Sequence, residues 1–148
     1  MSSKTDEIHR AIEHLQRLTE LFRKRRTLLA EGVGLTEQQW EVLEQISTEH
    51  FMPSMFARKR ESSAAAVSKT IRQLVEKELV SVSLNEVDAR QRNYGLTVKG
   101  RRVMAKLRKS RAQAIEQVWM QLDTSELDQF SKFAKTLGDS LERLINTN

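Results

Sequence analysis

The 148-residue chain contains no cysteine. Disulfides, thiolate metal sites, cysteine nucleophiles and thiol redox sensing are excluded together. It has one proline and five glycines, so little interrupts helices, and the glycines are too few and scattered for a phosphate-cradling nucleotide loop. No apolar run approaches the roughly 20 residues needed to span a bilayer. The opening residues, Met1 to Glu7, lack the apolar core of a signal peptide, so a cytoplasmic protein with no membrane partner is expected. The three histidines, His9, His14 and His50, have no metal-binding spacing, because His9 and His14 stand five apart and miss a common helix face. No Ser-His-Asp grouping or metal cluster can be assembled, so neither an enzyme nor a cofactor is expected.

What remains is a helix-rich globular composition, 39% hydrophobic and 30% charged. The net charge of +5 is unevenly spread. From Arg58 to Arg111 there are 15 Lys+Arg against 5 Asp+Glu, a surplus of +10, while the rest of the chain carries −5. A positive surplus gathered in one segment is the electrostatic footprint of a nucleic-acid partner, although a solvated basic surface shows the same count.

Ile8, Ile12, Leu15, Leu18 and Phe22 recur at helical spacing and predict a helix over about Asp6–Leu29, with the run Arg23 to Arg26 in its last turns, where cations suit the macrodipole. Thr36 and Gln39 form a capping-box pattern, and Leu35 and Trp40 a hydrophobic staple, for a second helix whose stripe is Trp40, Leu43 and Ile46. That helix is expected to give out around Glu49–Met52. Pro53 can open the next, anchored by Met55, Phe56 and Ala57.

Ser62 or Ser63 can cap a helix over Ser63–Glu78. Val67, Ile71, Leu74 and Val75 form its core side, and Ala65, Ser68, Lys69 and Arg72 its outward side. A short-chained, hydroxylated and basic front suits insertion into a DNA groove, where Lys69 and Arg72 can reach phosphates or guanine edges. An ordinary amphipathic helix with a basic exposed side reads the same way. Val80–Leu84 alternates apolar and polar as a half-buried strand does, and Asn93–Thr97 is its return. The loop between carries Asp88, Arg90 and Arg92. An arginine at a hairpin tip can enter a narrow minor groove, with Asp88 pairing with or orienting it. Thr97 can cap a long helix to about Gln121, very basic at first (Lys99, Arg101, Arg102, Lys106, Arg108, Lys109, Arg111) and then apolar. Asp123, with Glu126 reciprocal, can cap a last helix striped by Leu127, Phe130, Phe133, Leu137, Leu141 and Leu144, with Gly138 suited to a close helix crossing.

Two helices, then strand, basic turn and strand, predict a mainly α fold with a small β-wing: a winged helix-turn-helix over residues 35–111. Residues 1–34 and 112–148 carry apolar stripes too long for so small a unit to cover. They are expected to form a helical dimerisation region intertwined with it, in a symmetric homodimer that sets two reading helices side by side.

The order of elements and several residues resemble the MarR family of bacterial transcription regulators, over nearly the whole chain. Gly34 to Leu43 is similar to the family's second-helix opening, Val67-Ser68-Lys69 with Leu74 to Lys77 to its recognition helix, and Leu79-Val80 to the start of its wing. Asp88 to Arg92 resembles the wing's Asp-x-Arg signature, and Leu96 to Gly100 the Leu-Thr-x-x-Gly that opens the following helix. The resemblance implies a homodimer binding a pseudo-palindromic operator on double-stranded DNA, with Ser63, Ala65, Ser68 and Lys69 at the major groove and Arg90 at the minor groove. It also implies a repressor released by a small aromatic ligand; Phe22, Trp40 and Met104 can line such a pocket or belong to the core. In two places the chain departs from the family pattern. Glu78 and Glu61 replace glycines that usually follow and precede the recognition helix, so that helix is expected to end by another route with a shifted wing, and Glu61 to weaken phosphate binding. A nonspecific or architectural nucleic-acid binder, and a winged-helix protein-interaction module, remain alternative readings of the same basic centre.

Overall fold

The computed structural model describes residues 1–48 and 51–148; Glu49 and His50 lie outside the described residues. The order is α1 (Lys4–Gly32), α2 (Glu37–Ile46), α3 (Pro53–Lys59), α4 (Ala64–Glu76), β1 (Val80–Leu84), β2 (Arg92–Leu96), α5 (Val98–Gln117), a 3-10 turn (Trp119–Gln121) and α6 (Thr124–Thr147). This is a winged helix-turn-helix with further helices at both ends. Two compact units are formed, Met1–Arg108 and Lys109–Asn148.

In the first unit, α4 packs against α2, α3 and β1. The core gathers Leu35, Trp40, Leu43 and Ile46 from α2 and its approach, Val67, Ile71 and Leu74 from α4, Leu79 and Val80 from the start of the wing, and Met104 and Leu107 from α5. The predicted α2 capping box is present: Thr36 Oγ1 accepts from the Gln39 amide and Gln39 Oε1 from the Thr36 amide, both at 3.1 Å. Leu35 and Trp40 are both buried beside it, as a staple requires.

Several boundaries and faces differ from expectation. Helix α1 runs on to Gly32 and has no basic residue in its last turn, so the macrodipole argument for Arg23–Arg26 does not hold. Arg26 instead lies over the Trp40 ring, 4.2 Å from its centroid, and the Thr27 hydroxyl donates to the Glu37 carboxylate. These contacts dock the end of α1 on α2. On α4, Val75 is exposed and Thr70 is buried in its stead. Positions 67, 70, 71 and 74 hold the stripe, and the Thr70 hydroxyl is satisfied by the Ala66 carbonyl at 3.1 Å. Helix α4 also stops at Glu76 rather than Glu78. On α3, Ala57 is buried and Phe56 half-buried, but Met55 is exposed. The return strand is one residue earlier than expected. Of β1 only Val80 is buried; Val82 and Leu84 are exposed, because the two-stranded ribbon leaves the core beyond its first pair.

Helix α5 ends at Gln117, four residues short of the expected Gln121, and a 3-10 turn follows. In the second unit, Asp123 precedes α6 without any side-chain capping bond, so the reciprocal pair with Glu126 does not form. Among the described residues of the chain, nothing outside its own helix lies within 4 Å of where a β-carbon on Gly138 would stand.

The two departures from the family glycines have a shared outcome. Glu61 (φ 53°) and Glu78 (φ 61°) both adopt the left-handed conformation that glycine would take. Helix α4 therefore ends by the route expected of glycine: the Glu78 amide donates to Val75 O (2.9 Å) and the Leu79 amide to Leu74 O (3.0 Å), a Schellman closure. Helix α3 ends alike, with Glu61 to Arg58 O (3.2 Å) and Ser62 to Ala57 O (2.8 Å). The left-handed glutamate costs roughly 1 kcal/mol. Burying Leu74 and Leu79, which the closure brings together, returns about 1.5–3 kcal/mol each, so packing wins over local preference.

Gly100 serves a different purpose. A β-carbon there would lie 2.1 Å from the Leu79 carbonyl oxygen, so only glycine lets α5 start against the end of α4. Two stability outcomes follow, measurable by urea denaturation of the full chain. Gly100→Ala loses about 3 kcal/mol or more, since backbone rather than a flexible side chain must move. Glu78→Gly gains about 1 kcal/mol as the left-handed strain is relieved.

Candidate nucleic-acid interface

The front of α4 is built by the turn that precedes it. Left-handed Glu61 reverses the chain, half-buried Ser62 closes the α3 terminus, and Ser63 caps α4 with its Oγ accepting from the Ala66 amide at 3.0 Å. Ser63's hydroxyl oxygen is thus engaged in holding the helix start. Ala65, Ser68, Lys69 and Arg72 are all exposed, directly above the buried Val67, Thr70, Ile71 and Leu74. The outward side of α4 therefore offers a methyl, a hydroxyl and two cations over a rigid base. Lys69 and Arg72 have no ion-pair partner among the described residues.

The wing tip is a built turn. Asn85 Oδ1 accepts from the amides of Val87 (2.8 Å) and Asp88 (3.2 Å). The Gln91 amide returns to Asp88 O, and the Asn85 amide to Gln91 O, each at 3.0 Å. Asp88 Oδ1 accepts from the Arg90 amide at 3.0 Å and from its Nε at 3.4 Å. Arg90's side chain is 94% exposed, so this pair contributes little to stability; its effect is to orient the guanidinium at the tip. Arg92 is exposed on β2, opposite Leu84, on the side of the ribbon that carries Tyr94 and Leu96. Tyr94 meets Phe51 edge-on at 5.7 Å, seating the base of that side on the core. Asn85 was not singled out in the sequence; its signal is an Asn two and three residues before the amides it accepts from, an Asx-turn pattern.

The end of α4 is held by a half-buried polar cluster that the sequence showed only as a cap. Gln39, 6% exposed, donates from Nε2 to Gln73 Oε1 at 3.0 Å. Its Oε1 accepts from Lys77 Nζ at 3.0 Å, and Lys77 also donates to Gly34 O at 2.5 Å. The end of α1, the start of α2 and the end of α4 are joined in this way. Trp40 and Met104 belong to the core, whereas Phe22 is exposed. No group of three or more potential metal ligands occurs among the described residues.

No protein-family model and no curated relative matches the sequence. The fold, however, is shared with solved regulators along nearly the whole chain. One, a MarR family transcription regulator, superposes with TM-score 0.84 at 18% identity, covering 98% of this chain and 97% of that one. FabT of Streptococcus pneumoniae, solved in complex with DNA, gives TM-score 0.76 at 17% identity over 90% and 99%. The multiple antibiotic-resistance repressor MarR of Listeria monocytogenes gives 0.64 at 17% over 96% and 99%. The chain thus has the fold of the MarR family regulators.

The wing tip yields a local test. Asp88→Ala is expected to speed hydrogen exchange of the Arg90 amide markedly, while changing global stability by less than about 0.5 kcal/mol. Equal protection in variant and parent would show that Asp88 does not order the tip.

Proposed function

We propose that the protein is a homodimeric, sequence-specific DNA-binding transcription regulator of the cytoplasm, a repressor rather than an enzyme, released by a small aromatic ligand. The observation that carries this reading is the exposed front of α4 and an oriented, exposed arginine at the wing tip, in a fold shared along most of the chain with regulators, FabT solved on DNA among them. Ser68, Lys69 and Arg72 would address the major groove beside Ala65. The Ser62–Ser63 turn would present the positive end of α4 to a phosphate. Arg90, aimed by Asp88, would enter the minor groove, and Arg92 would meet the backbone next to it. Exposed Glu61 lies in the turn before α4 and opposes phosphate approach, which lowers affinity without affecting which bases are read.

Residues 1–34 and 112–148 are assigned to dimerisation. Ile8, Ile12, Leu15, Leu18 and Leu21 on α1 are each 40–49% exposed, and Phe130, Phe133, Leu137, Leu141 and Leu144 on α6 are exposed as well. No residue of α6 is buried, yet helices of this kind owe most of their stability to packing of the apolar side. A second copy of the chain supplies that packing and a pseudo-palindromic operator follows from its two-fold axis.

Selection of bound duplex from a random pool tests the whole reading. The expected winner is a pseudo-palindrome bound by two chains and preferred over random duplex by about 10³ or more. Lys69→Ala and Arg90→Ala weaken it. A ratio near unity would leave a nonspecific binder instead, and a monomer in micromolar sedimentation runs would remove the dimer.

A further inference from the structure

The first eleven residues of α5 carry a charge pattern that groove reading does not use. Val98–Arg108 holds five basic residues, Lys99, Arg101, Arg102, Lys106 and Arg108, and no acidic one. All five are exposed, while Gly100, Met104 and Leu107 on the other side are buried. Lys99 donates to Lys77 O at 3.0 Å and Arg101 to Leu96 O at 3.1 Å. Arg102, Lys106 and Arg108 have no ion pair among the described residues. Lys99, Arg102 and Lys106, at spacings of three and four, share one side of the helix.

Elsewhere on its long helices the molecule sets charges of opposite sign together. Helix α1 carries the pair Glu7–Arg10, and α6 carries Asp128–Lys132 and Lys135–Asp139, each at 2.9 Å. Those opposite-charge pairs stabilise a helix by about 0.2–0.5 kcal/mol each, and like charges at the same spacing destabilise it by similar amounts. A row of like charges on α5 is therefore a standing cost that a bound polyanion would relieve. Its extent also fits one. From Lys99 to Lys106 the row is about 10 Å long at 1.5 Å per residue, too long for a single phosphate but long enough to span neighbouring phosphates of one DNA strand. A membrane surface fits less well, since the apolar side of α5 is buried in the core and cannot insert.

We propose that the exposed side of α5 around Arg102 and Lys106 is a second, sequence-independent contact to the phosphate backbone of duplex DNA, separate from the α4 front and the wing. It rests on the DNA-binding reading for its partner but not on operator selectivity. It holds DNA without reading it. The row begins two residues after Thr97, whose amide donates to Leu79 O at 3.1 Å, so its position is tied by a backbone bond to the segment that ends the proposed reading helix.

The test compares full-length parent with the double variant Arg102→Ala, Lys106→Ala on the selected duplex and on random duplex across a salt series. Affinity for both falls by the same factor, their ratio stays unchanged, and the slope of log affinity against log salt becomes shallower by about 1.8, two contacts at about 0.9 each. Alanine suits the helix and removes repulsion, so the melting temperature at low salt stays level or rises. Should the alanine variant fold poorly, Arg102→Gln with Lys106→Gln takes its place and the same readings apply. Unchanged affinity and slope on both duplexes would overturn the proposal and leave operator reading intact. A loss confined to the selected duplex would also overturn it, because the row would then be reading sequence. Binding of parent, but not variant, to vesicles of an anionic phospholipid with unchanged duplex binding would assign the row to lipid instead. If the parent binds random duplex as well as any selected one but the slope still falls in the variant, the regulator reading fails and the backbone contact stands.

Discussion

Three consecutive backbone carbonyls hold the winged unit together. Lys77 O accepts from Lys99 Nζ, Glu78 O from Thr97 Oγ1 at 2.6 Å, and Leu79 O from the Thr97 amide at 3.1 Å. Thr97 Oγ1 in turn accepts from the Gly100 amide at 2.9 Å, capping α5. The last turn of α4 is thereby fastened to the first turn of α5, and the strands between them close as a ribbon whose two ends are both fixed. Each requirement narrows the chemistry allowed nearby. The left-handed turn at Glu78 aims those carbonyls away from their own helix. The missing β-carbon at Gly100 lets α5 come close enough to use them. A defect at either position would loosen the wing and the reading helix together, although neither residue is proposed to touch DNA.

Patterns with local causes were legible in the sequence. The capping box at Thr36 and Gln39, the helix opening at Pro53, the Ser63 cap, the strand at Val80–Leu84 and the Thr97 cap all depend on residues within four positions of one another, and each formed. One local pattern, the Asp123 cap with Glu126, did not form; the other misjudged features depended on distant partners. Val75 and Thr70 exchange places because the stripe of α4 is set by the neighbours it meets, not by hydrophobicity alone. Arg26 looked like a helix-end cation, but its aromatic partner is fourteen residues away across a turn. Gln39 has two functions, and only the capping one has a sequence signature. Val82 and Leu84 alternate as a buried strand would, yet a two-stranded ribbon has nothing to cover them past its base.

Glu61 and Glu78 show how far tertiary packing overrides a local rule. Glycine is the residue of choice at both positions, and its absence suggested a different helix ending and a shifted wing. The closures form regardless, because each joins a residue before the turn to one after it, such as Leu74 and Leu79, whose burial outweighs the strain. Backbone geometry is thus retained while the side chain at the turn changes from none to a carboxylate. At Glu61 that places a negative charge in the turn before the proposed reading helix, so a side chain that fold stability tolerates would act against the phosphate binding proposed there.

That opposition bears on how affinity would be distributed over the surface. The front of α4 is short-chained: Ala65 and Ser68 suit close approach and discrimination between bases, but they supply no charge. Lys69, Arg72, Arg90 and Arg92 supply four cations, against Glu61 nearby. Electrostatic attachment to a duplex grows with the number of phosphates neutralised, whereas selectivity depends on the few side chains that reach base edges. With the proposed reading surface small and partly opposed by its own carboxylate, further attachment to DNA would have to come from cations elsewhere, and α5 is where the surplus is concentrated without compensating acid. Separating the two tasks has a physical advantage. Charges on α5 can raise residence on DNA without raising the affinity ratio for wrong sequences, because they add the same free energy to every duplex.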